Sequence, residues 1–389
     1  MELPVISDYR ALFLQDRPLL DVRAPVEFAR GAFPCAVNHP LIDDEERHQI
    51  GIAYKQSGQD AAIELGHQLV HGARRDARTA SWDRFARQHP QGALYCFRGG
   101  LRSQVSQRWL YEHSGIEYPR VHGGYKALRA HLIESLQGAA DCLRPILIGG
   151  RTGVGKTRLL ERLPRAVDLE RLAWHRGSAF GRHATPQPSQ IDFENALAVA
   201  LLKLRAQGSE RVVVEDEGRN VGSVKLPDTL HARFKQGELL VLEASLSTRV
   251  QITLREYVVD ALAEYRHAVG ETHAFEAWSK ALQDSLERIR RRLGGDNHAR
   301  IRQLMNQALE RHQRYGDLEP HSAWIQALLT DYYDPMYDYQ LSRHPLPVGF
   351  RGEAAEVEAR VHALLEMKAS TPASGSGTGT PINSSSLSE

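Results

Sequence analysis

The sequence predicts an α/β protein with two successive parallel sheets and a helical C-terminal region, and three observations carry that prediction. Short apolar runs alternate with helix-like segments through the first 135 residues. A second alternation opens at Pro145-Ile146-Leu147-Ile148 and runs directly into the Gly-rich turn GGRTGVGKT. From about Val250 to Leu365 the pattern becomes almost wholly helical, with charged faces and no strand-like run.

In chain order, PLLDVR (18–23) is a short apolar strand ending in Asp21 and Arg23, and PVEFARG follows as a short helix closed by Gly31. ALYCF is the next strand, followed by a Gly/Arg loop, a helix over SQVSQRWLYEH and the segment YPRVHGGY. Leu128 to Leu136 reads as a linker helix, which bounds a first unit at residues 1–135. In the second unit, 136–265, the strand PILI enters the Gly-rich turn and then the helix TRLLERL. IDFENALAVALLKL has helical apolar spacing, while RVVVEDEG (211–218) and ELLVLEAS (238–245) read as buried parallel strands. Residues 266–365 make the helical region, and 366–389, rich in Ser, Thr and Gly without aromatics, are expected to be a disordered tail.

Composition narrows the function classes. A net charge of +1 spreads no global positive field, so a nucleic-acid partner must be held by a local patch. Three cysteines, Cys35, Cys96 and Cys142, are too few and too scattered for a disulfide framework or a zinc site. No run reaches a membrane span and MELPVISDYR lacks a basic-then-apolar leader, so a cytoplasmic protein with no membrane partner is expected.

Gly150-Arg-Thr-Gly-Val-Gly155-Lys156-Thr157 fits G-x-x-x-x-G-K-[ST] in full and lies between strand and helix. Gly150, Gly153 and Gly155 let successive amides curl around a phosphate. Lys156 supplies a point charge, and Thr157 can hold Mg²⁺, although the sequence leaves a metal requirement open. VVVEDE offers Glu215, Asp216 and Glu217, of which Asp216 is expected to face the site, with Arg219 and Asn220 beyond it. His175, Arg176 and Ser178, in a Gly-terminated turn, are further candidates for this site. Gln187, Ser189 and Gln190 are candidates to read a base or close a lid. A loop of this kind recognises a pyrophosphate, and nothing here requires a nucleoside triphosphate.

CFRGGLRS holds the second cradle. Cys96 ends a strand under a loop with two glycines, and Arg98 and Arg102 add positive charge. A thiol so placed is a nucleophile or a carrier of a sulfur-like atom. Cys35 and Cys142 read as packing residues.

DVRAPVEFARGAFPCAVNHP resembles the N-terminal signature of rhodanese domains, with Asp21, Arg23, Glu27, Gly31, Pro34 and Asn38 in register. CFRGGLRS resembles the rhodanese active-site loop, and VHGGYKAL the segment that closes such domains. Cys35 stands where the signature usually has glycine. The five residues between Cys96 and Arg102 exceed by one the loop of typical sulfurtransferases. That spacing is similar to related dual-specificity phosphatases, whose cradle fits a tetrahedral phosphorus oxyanion.

A rhodanese-like domain with a parallel sheet, then a P-loop NTPase-like α/β domain with a helical C-terminal region, is an unusual pairing. With WHRGSAFG (174–181), QPSQIDFENAL (187–197) and VEDEGRNVG (214–222), the chain from residue 1 to about 365 resembles the bacterial tRNA 2-selenouridine synthase family. The resemblance implies a transferase acting on wobble 2-thiouridine in the anticodon loop of tRNA. It would attach a geranyl group from geranyl diphosphate to the sulfur, then replace S-geranyl with selenium from selenophosphate. Gly150, Gly155, Lys156 and Thr157 would hold the leaving diphosphate, and Cys96, Arg98 and Arg102 the selenophosphate. Selenophosphate synthetase is an implied partner, and no tightly bound cofactor is expected.

For RNA contact, ERIRRRLGG places Arg288, Arg290, Arg291 and Arg292 on one predicted helix, with Arg300, Arg302, Arg311 and Arg314 beyond and Asp284 and Glu287 diluting the charge. TDYYDPMYDYQL (330–341) carries four tyrosines that either stack on an unpaired base or pack against the P-loop unit. Three other readings compete. One is a P-loop kinase or NTPase fused to a sulfurtransferase, with Arg249 and Arg255 as phosphate clamps. The others are a regulatory binding protein and, from the Cys-x5-Arg spacing alone, a phosphatase.

Overall fold

Two five-stranded sheets, every neighbouring pair parallel, organise the chain; the computed structural model describes residues 2–367. The first sheet comprises β1 (Val5–Ile6), β2 (Leu19–Asp21), β3 (Ala36–Asn38), β4 (Ala93–Tyr95) and β5 (Arg120–Val121), in the order β1-β5-β4-β2-β3. Its strands are two or three residues long, and β2 ends on a polar pair. The Asp21 carboxylate accepts from the Arg23 amide at 2.9 Å and from its guanidinium at 2.6 Å, turning the chain out of β2. Arg23 also donates to the Gly31 carbonyl at 2.8 Å and lies over the Tyr125 ring, so this buried pair is fully partnered.

Residues 44–88, for which sequence patterning offers no assignment, form two helices, Asp44–Leu69 and Gly72–Gln88. The first starts on a reciprocal Asp43/Glu46 cap and bends at Gly58, where φ is +84°. Helix Leu101–Ser114 follows the cysteine loop and packs with Trp82, Phe85 and Leu110 against one face of the sheet. The predicted linker helix is longer than its apolar core, running Gly124–Cys142, so it continues through the boundary at 135 into the second unit.

The second sheet comprises β6 (Arg144–Gly149), β7 (Ala166–Val167), β8 (Arg211–Glu215), β11 (Glu238–Leu242) and β12 (Val348–Gly352), ordered β12-β11-β6-β8-β7. An antiparallel ribbon, β9 (Asn220–Val221) and β10 (Val224–Lys225), projects after β8. β12 corrects the expectation of a strand-free region after Val250. It is an edge strand, paired with β11 on one side only, and its partly exposed VGFRG lacks the apolar run that marks a central strand. Helix Ala354–Glu366 returns Val357, Val361 and Leu364 to the sheet.

Between β11 and β12 lies the helical region, whose core gathers Trp278, Trp324, Ile301 and Tyr333. Two π-helical turns, Arg255–Asp260 and Leu329–Tyr333, interrupt its helices. The tail expectation falls on residues 368–389, which lie outside the described ones. Among the described residues, no helix is long and apolar enough to cross a membrane.

One apolar core serves both sheets. Leu128, Leu132 and Leu136 of helix Gly124–Cys142 meet Phe193, Leu197 and Leu201 of helix Gln190–Ala206 in a cluster that also holds Tyr95 and Val214. Polar contacts reinforce the seam. Asp192 accepts from the Ala32 amide at 2.6 Å, buried Asn195 donates to the Ala32 carbonyl at 2.6 Å, and Arg129 donates to Asn195 at 2.7 Å.

Candidate functional site

β6 delivers the chain to the Gly-rich turn, and helix Lys156–Leu160 leaves it. Gly153 and Gly155 have φ of +75° and +92°, conformations that disfavour a side chain, and a Cβ on Gly153 would stand 2.9 Å from the Arg249 carbonyl. Arg249 braces the turn from behind. It is buried, donates to the Thr152 carbonyl at 3.0 Å, and pairs with Asp334 through both terminal nitrogens.

Lys156 sits among carboxylates. Glu217 lies 3.9 Å away, and both side chains are largely sheltered. Burial works against the ammonium charge, but Glu217, then Glu170 and Glu215, outweigh it and raise the Lys156 pKa. Burial pushes Glu217 up to about 8, with Lys156 opposing and Glu170 adding to the rise. Glu215 is pushed up chiefly by burial and accepts from the Leu169 amide at 2.8 Å. Glu256, on the first π-helical turn, is raised by burial and by Glu170.

The acid against Lys156 is therefore Glu217, where the sequence expectation was Asp216. The strand ends at Glu215 and the Glu217 amide bonds back to the Glu215 carbonyl at 3.0 Å, a tight turn that leaves Glu215 and Glu217 acting on Lys156 while Asp216 is directed elsewhere. Asp216 instead contacts Lys235 and His344, each at 3.2 Å. Arg219 is directed away as well, pairing with Asp228.

The turn carrying His175, Arg176 and Ser178 does lie over this cluster. A Cβ on Gly177 would fall 3.2 Å from Glu217 Oε1. His175 is buried and held neutral, its pKa lowered to about 4 by burial and then by His183, Arg182 and Arg176. Arg176 pairs with Glu264, and Ser178 Oγ lies 2.6 Å from the Tyr257 hydroxyl. Trp174, half exposed, stacks on His183 with ring centroids 4.0 Å apart. Gln187, Ser189 and Gln190 act as braces rather than a base-reading edge. Gln187 ties Ala173 to Val221 and Ser223, Ser189 caps helix Gln190–Ala206, and Gln190 holds Lys225. Glu170, Glu256 and Tyr257 have no motif that marks them in sequence.

At the other cradle, Cys96 is buried at the end of β4. Its Sγ donates to Ser103 Oγ at 3.2 Å, and Ser103 donates to the Gly100 carbonyl at 2.9 Å. The loop's carbonyls are tied back: Cys96 O accepts from Tyr125, Phe97 O from Lys126, and Gly99 O from Arg120 at 2.7 Å. The amides of Arg98, Gly99 and Gly100 are donors in none of these bonds, leaving them for an anion. Gly99, at φ +64°, is obligatory, since a Cβ would stand 2.7 Å from the Gly123 amide nitrogen. Arg102 grips Glu27 with two bonds of 2.6 and 3.0 Å. Burial alone would raise Glu27, but Arg102, the Ala24 amide and Arg47 hold its carboxyl below the usual range. Arg98 is exposed at the loop's rim. Over the loop opens a cavity of about 830 Å³, lined by Cys96, Arg98 and Arg102 on one side and by helix Asp44–Leu69 on the other.

The predicted arginine cluster divides. Arg288 is exposed, but its guanidinium is held locally, donating to Ser285 Oγ at 2.7 Å and to the Ala179 carbonyl, and it borders a cavity of about 160 Å³ with Phe180, His183 and Tyr257. Arg290, Arg291 and Arg292 are exposed, the first paired with Glu287. Arg300, Arg311 and Arg314 pair with Asp331, Asp317 and Glu310. Of the four tyrosines, Tyr332 and Tyr333 belong to the helical core, Tyr337 is partly buried, and Tyr339 is exposed.

A family profile described as the tRNA 2-selenouridine synthase AAA domain matches residues 143–367. Similarity to whole proteins extends across both units. The tRNA 2-selenouridine synthase of Marinobacter nauticus is 54% identical, over 90% of this chain and 95% of its own. The proteins of that name from Cupriavidus pinatubonensis and Bordetella bronchiseptica are each 52% identical over 90% of this chain, and 96% and 95% of their own.

Proposed function

This chain belongs to the tRNA 2-selenouridine synthase family, and from that membership we propose that it converts wobble 2-thiouridine of tRNA to 2-selenouridine in two steps at two sites. The N-terminal unit is read as a rhodanese-like domain and the second as a P-loop domain put to use on a diphosphate ester. In the first step the thiouridine sulfur attacks the terminal allylic carbon of geranyl diphosphate. The carbon–oxygen bond breaks, diphosphate leaves with the electron pair, and the base gives up its N3 proton to solvent, so that the S-alkylated ring is neutral. Lys156 and the amides of the Gly150–Thr157 turn would stabilise that leaving charge. Among the described residues no three His, Cys, Asp or Glu side chains form a ligand set. Were Mg²⁺ to accompany the diphosphate, Thr157 is the residue of the turn that would help hold it, and the ion would offset charge on the leaving group.

In the second step selenium from selenophosphate displaces the S-geranyl group at C2 of the base. The C2–Se bond forms, the C2–S bond breaks, and geranylthiolate departs with the electron pair and takes up a proton. Selenium in selenophosphate is already at the level of selenide, so loading it on Cys96 as a perselenide would require an oxidant. The electron count favours Cys96 serving the phosphorus end instead. Attack of its thiolate on phosphorus leaves the P–Se pair on selenium, and water then releases phosphate and restores the thiol. Ser103 Oγ, 3.2 Å from Sγ, accepts from the thiol and donates to the Gly100 carbonyl; turning that hydroxyl toward Sγ would let it stabilise the thiolate.

The observation that carries the proposal is the pair of unlike cradles in one chain: a buried thiol under free loop amides, and a lysine at a glycine turn. The kinase reading is weakened at both of its clamps, because Arg249 is buried and committed to Asp334 and Thr152, and Arg255 pairs with Asp260 at 2.8 Å. The test is a crossed pair of variants assayed by nucleoside mass spectrometry. Lys156→Ala is expected to slow geranylation by at least about a hundredfold while still selenating RNA supplied with S-geranyl-2-thiouridine. Cys96→Ser is expected to do the reverse. If each variant loses both steps equally, the two-site assignment is wrong.

A further inference from the structure

We propose that the cavity over Cys96 is the seat of the isoprenoid chain that the substrate base carries on its sulfur during selenium transfer, an assignment that rests on the two-step reading above. The first argument is size. At about 830 Å³ the cavity is far larger than a tetrahedral oxyanion needs, and it falls within the ~300–1,000 Å³ range of sites for whole organic ligands. The second is the asymmetry of its walls. One end is the polar cradle of Cys96, Arg102 and Glu27; away from it the lining is mostly apolar, with Ile42, Ile50, Ala62, Ile63, Val105 and Trp109 interrupted by His48, Gln59 and His67.

The third argument lies at the mouth. Phe97, Leu101, Ile52 and Tyr54 are large apolar side chains exposed to solvent, and all four border this one opening. Water-exposed apolar groups gathered around a reactive centre mark a place where an apolar ligand enters. The bend at Gly58 in helix Asp44–Leu69 places residues from both of its halves, Ile50 and Ile63 among them, on one wall. At the rim, Arg47, Lys55 and Arg98 supply positive charge suited to the phosphates of the nucleotide that bears the chain.

Geometry then selects the occupant. Selenium arrives at the Cys96 end, so C2 of the base and its sulfur must come there too, and whatever the sulfur carries must lie within one bond of that point. A chain of terpenoid length leaving the cradle meets the apolar wall at once. Seated there, it anchors the base by surface that has nothing to do with the pyrimidine, displaces water from around the selenium nucleophile, and leaves with the sulfur. A base with unalkylated sulfur gains none of this, which would make the second site selective for the product of the first.

The experiment uses the full chain, selenophosphate, and anticodon stem-loop RNAs whose 2-thiouridine carries S-methyl, S-dimethylallyl or S-geranyl, with selenation followed by nucleoside mass spectrometry. For the native protein, kcat/KM is expected to rise by at least about tenfold from S-methyl to S-geranyl, mostly through KM. Ala62→Phe and Val105→Phe fill the cavity from different helices, and each is expected to reduce the geranyl-over-methyl ratio about tenfold. The ratio is taken within one preparation, so it is independent of the folded fraction. Equal kcat/KM across the chain series, or a ratio untouched by both variants, overturns the cavity assignment while leaving the two-step reading in place. If the native protein selenates none of the S-alkylated RNAs, the two-step reading itself fails, and the cavity assignment goes with it.

Discussion

On the proposed reading, replacing Glu217 by glutamine should remove a pH dependence of diphosphate binding that the native site carries. Glu217 lies 3.9 Å from Lys156 and titrates near 8 because burial disfavours its charge more than Lys156 favours it. Below that pH the side chain is a neutral acid and leaves the lysine to the ligand. Above it a carboxylate competes for the same ammonium and repels the diphosphate. Ligand binding then requires a proton on Glu217, so the dissociation constant should rise about tenfold per pH unit above ~8, or about 1.4 kcal/mol per unit. At an effective dielectric near 20, two charges ~4 Å apart interact by about 4 kcal/mol, which caps the total loss on the order of a thousandfold.

The same residue sets a stability trend. Its folded pKa lies above the ordinary 4.5, so the native state binds more protons than the unfolded chain between 4.5 and about 8, and stability falls as pH rises through that window. Calorimetric titration with geranyl diphosphate from about pH 6 to 9.5 in native protein and in Glu217→Gln provides the readout. The ligand's own ionisation is common to both proteins and cancels in the difference. The native curve should bend upward near pH 8 and the variant's should not. Two parallel curves would refute the reasoning.

Two further outcomes follow from backbone geometry and the seam. Gly99→Ala places a Cβ against the Gly123 amide and the Val121 carbonyl at a φ of +64°. It should cost about 1–3 kcal/mol, seen as a lowered Tm, and depress selenation more than geranylation. Asn195→Leu strands the Ala32 carbonyl and one Arg129 nitrogen in the seam between the units. A loss of about 1–3 kcal/mol in urea unfolding is expected, with both activities falling together.

What the sequence makes legible is what depends on local chemistry. Apolar runs at 145–148, 212–214 and 239–242 became the central strands of the second sheet, where burial on both faces demands such runs. The glycine turn and the cysteine loop were visible because their backbones need glycine at particular steps. What escaped depends on phase or on remote partners. Asp216 and Glu217 are neighbours in sequence, and only the tight turn after Glu215 decides which one meets Lys156. Strand β12 is half exposed and draws its partner from over a hundred residues earlier in the chain, β11. Arg288 and Arg290 belong to one charged run, yet the first contacts Ser285 and the second Glu287. The cavity wall could not be foreseen, because helix Asp44–Leu69 has no strong apolar face and acquires its role only where it faces the loop.

The shared core bears on how one base reaches two sites. Domains that alternate around a substrate usually meet across modest, polar interfaces. Here Leu128, Leu132 and Leu136 lie buried with Phe193, Leu197 and Leu201 in a cluster spanning both sheets. Opening a hinge there would expose side chains worth on the order of 10 kcal/mol together, a cost that disfavours parting the two units at this seam. The two cradles therefore keep a fixed relation, and on the proposed reading it is the RNA that must move between them. A moving intermediate can be lost to solvent after the first step. A second site that grips the newly added chain counters that loss, because the modification itself then carries the affinity that brings the base to Cys96.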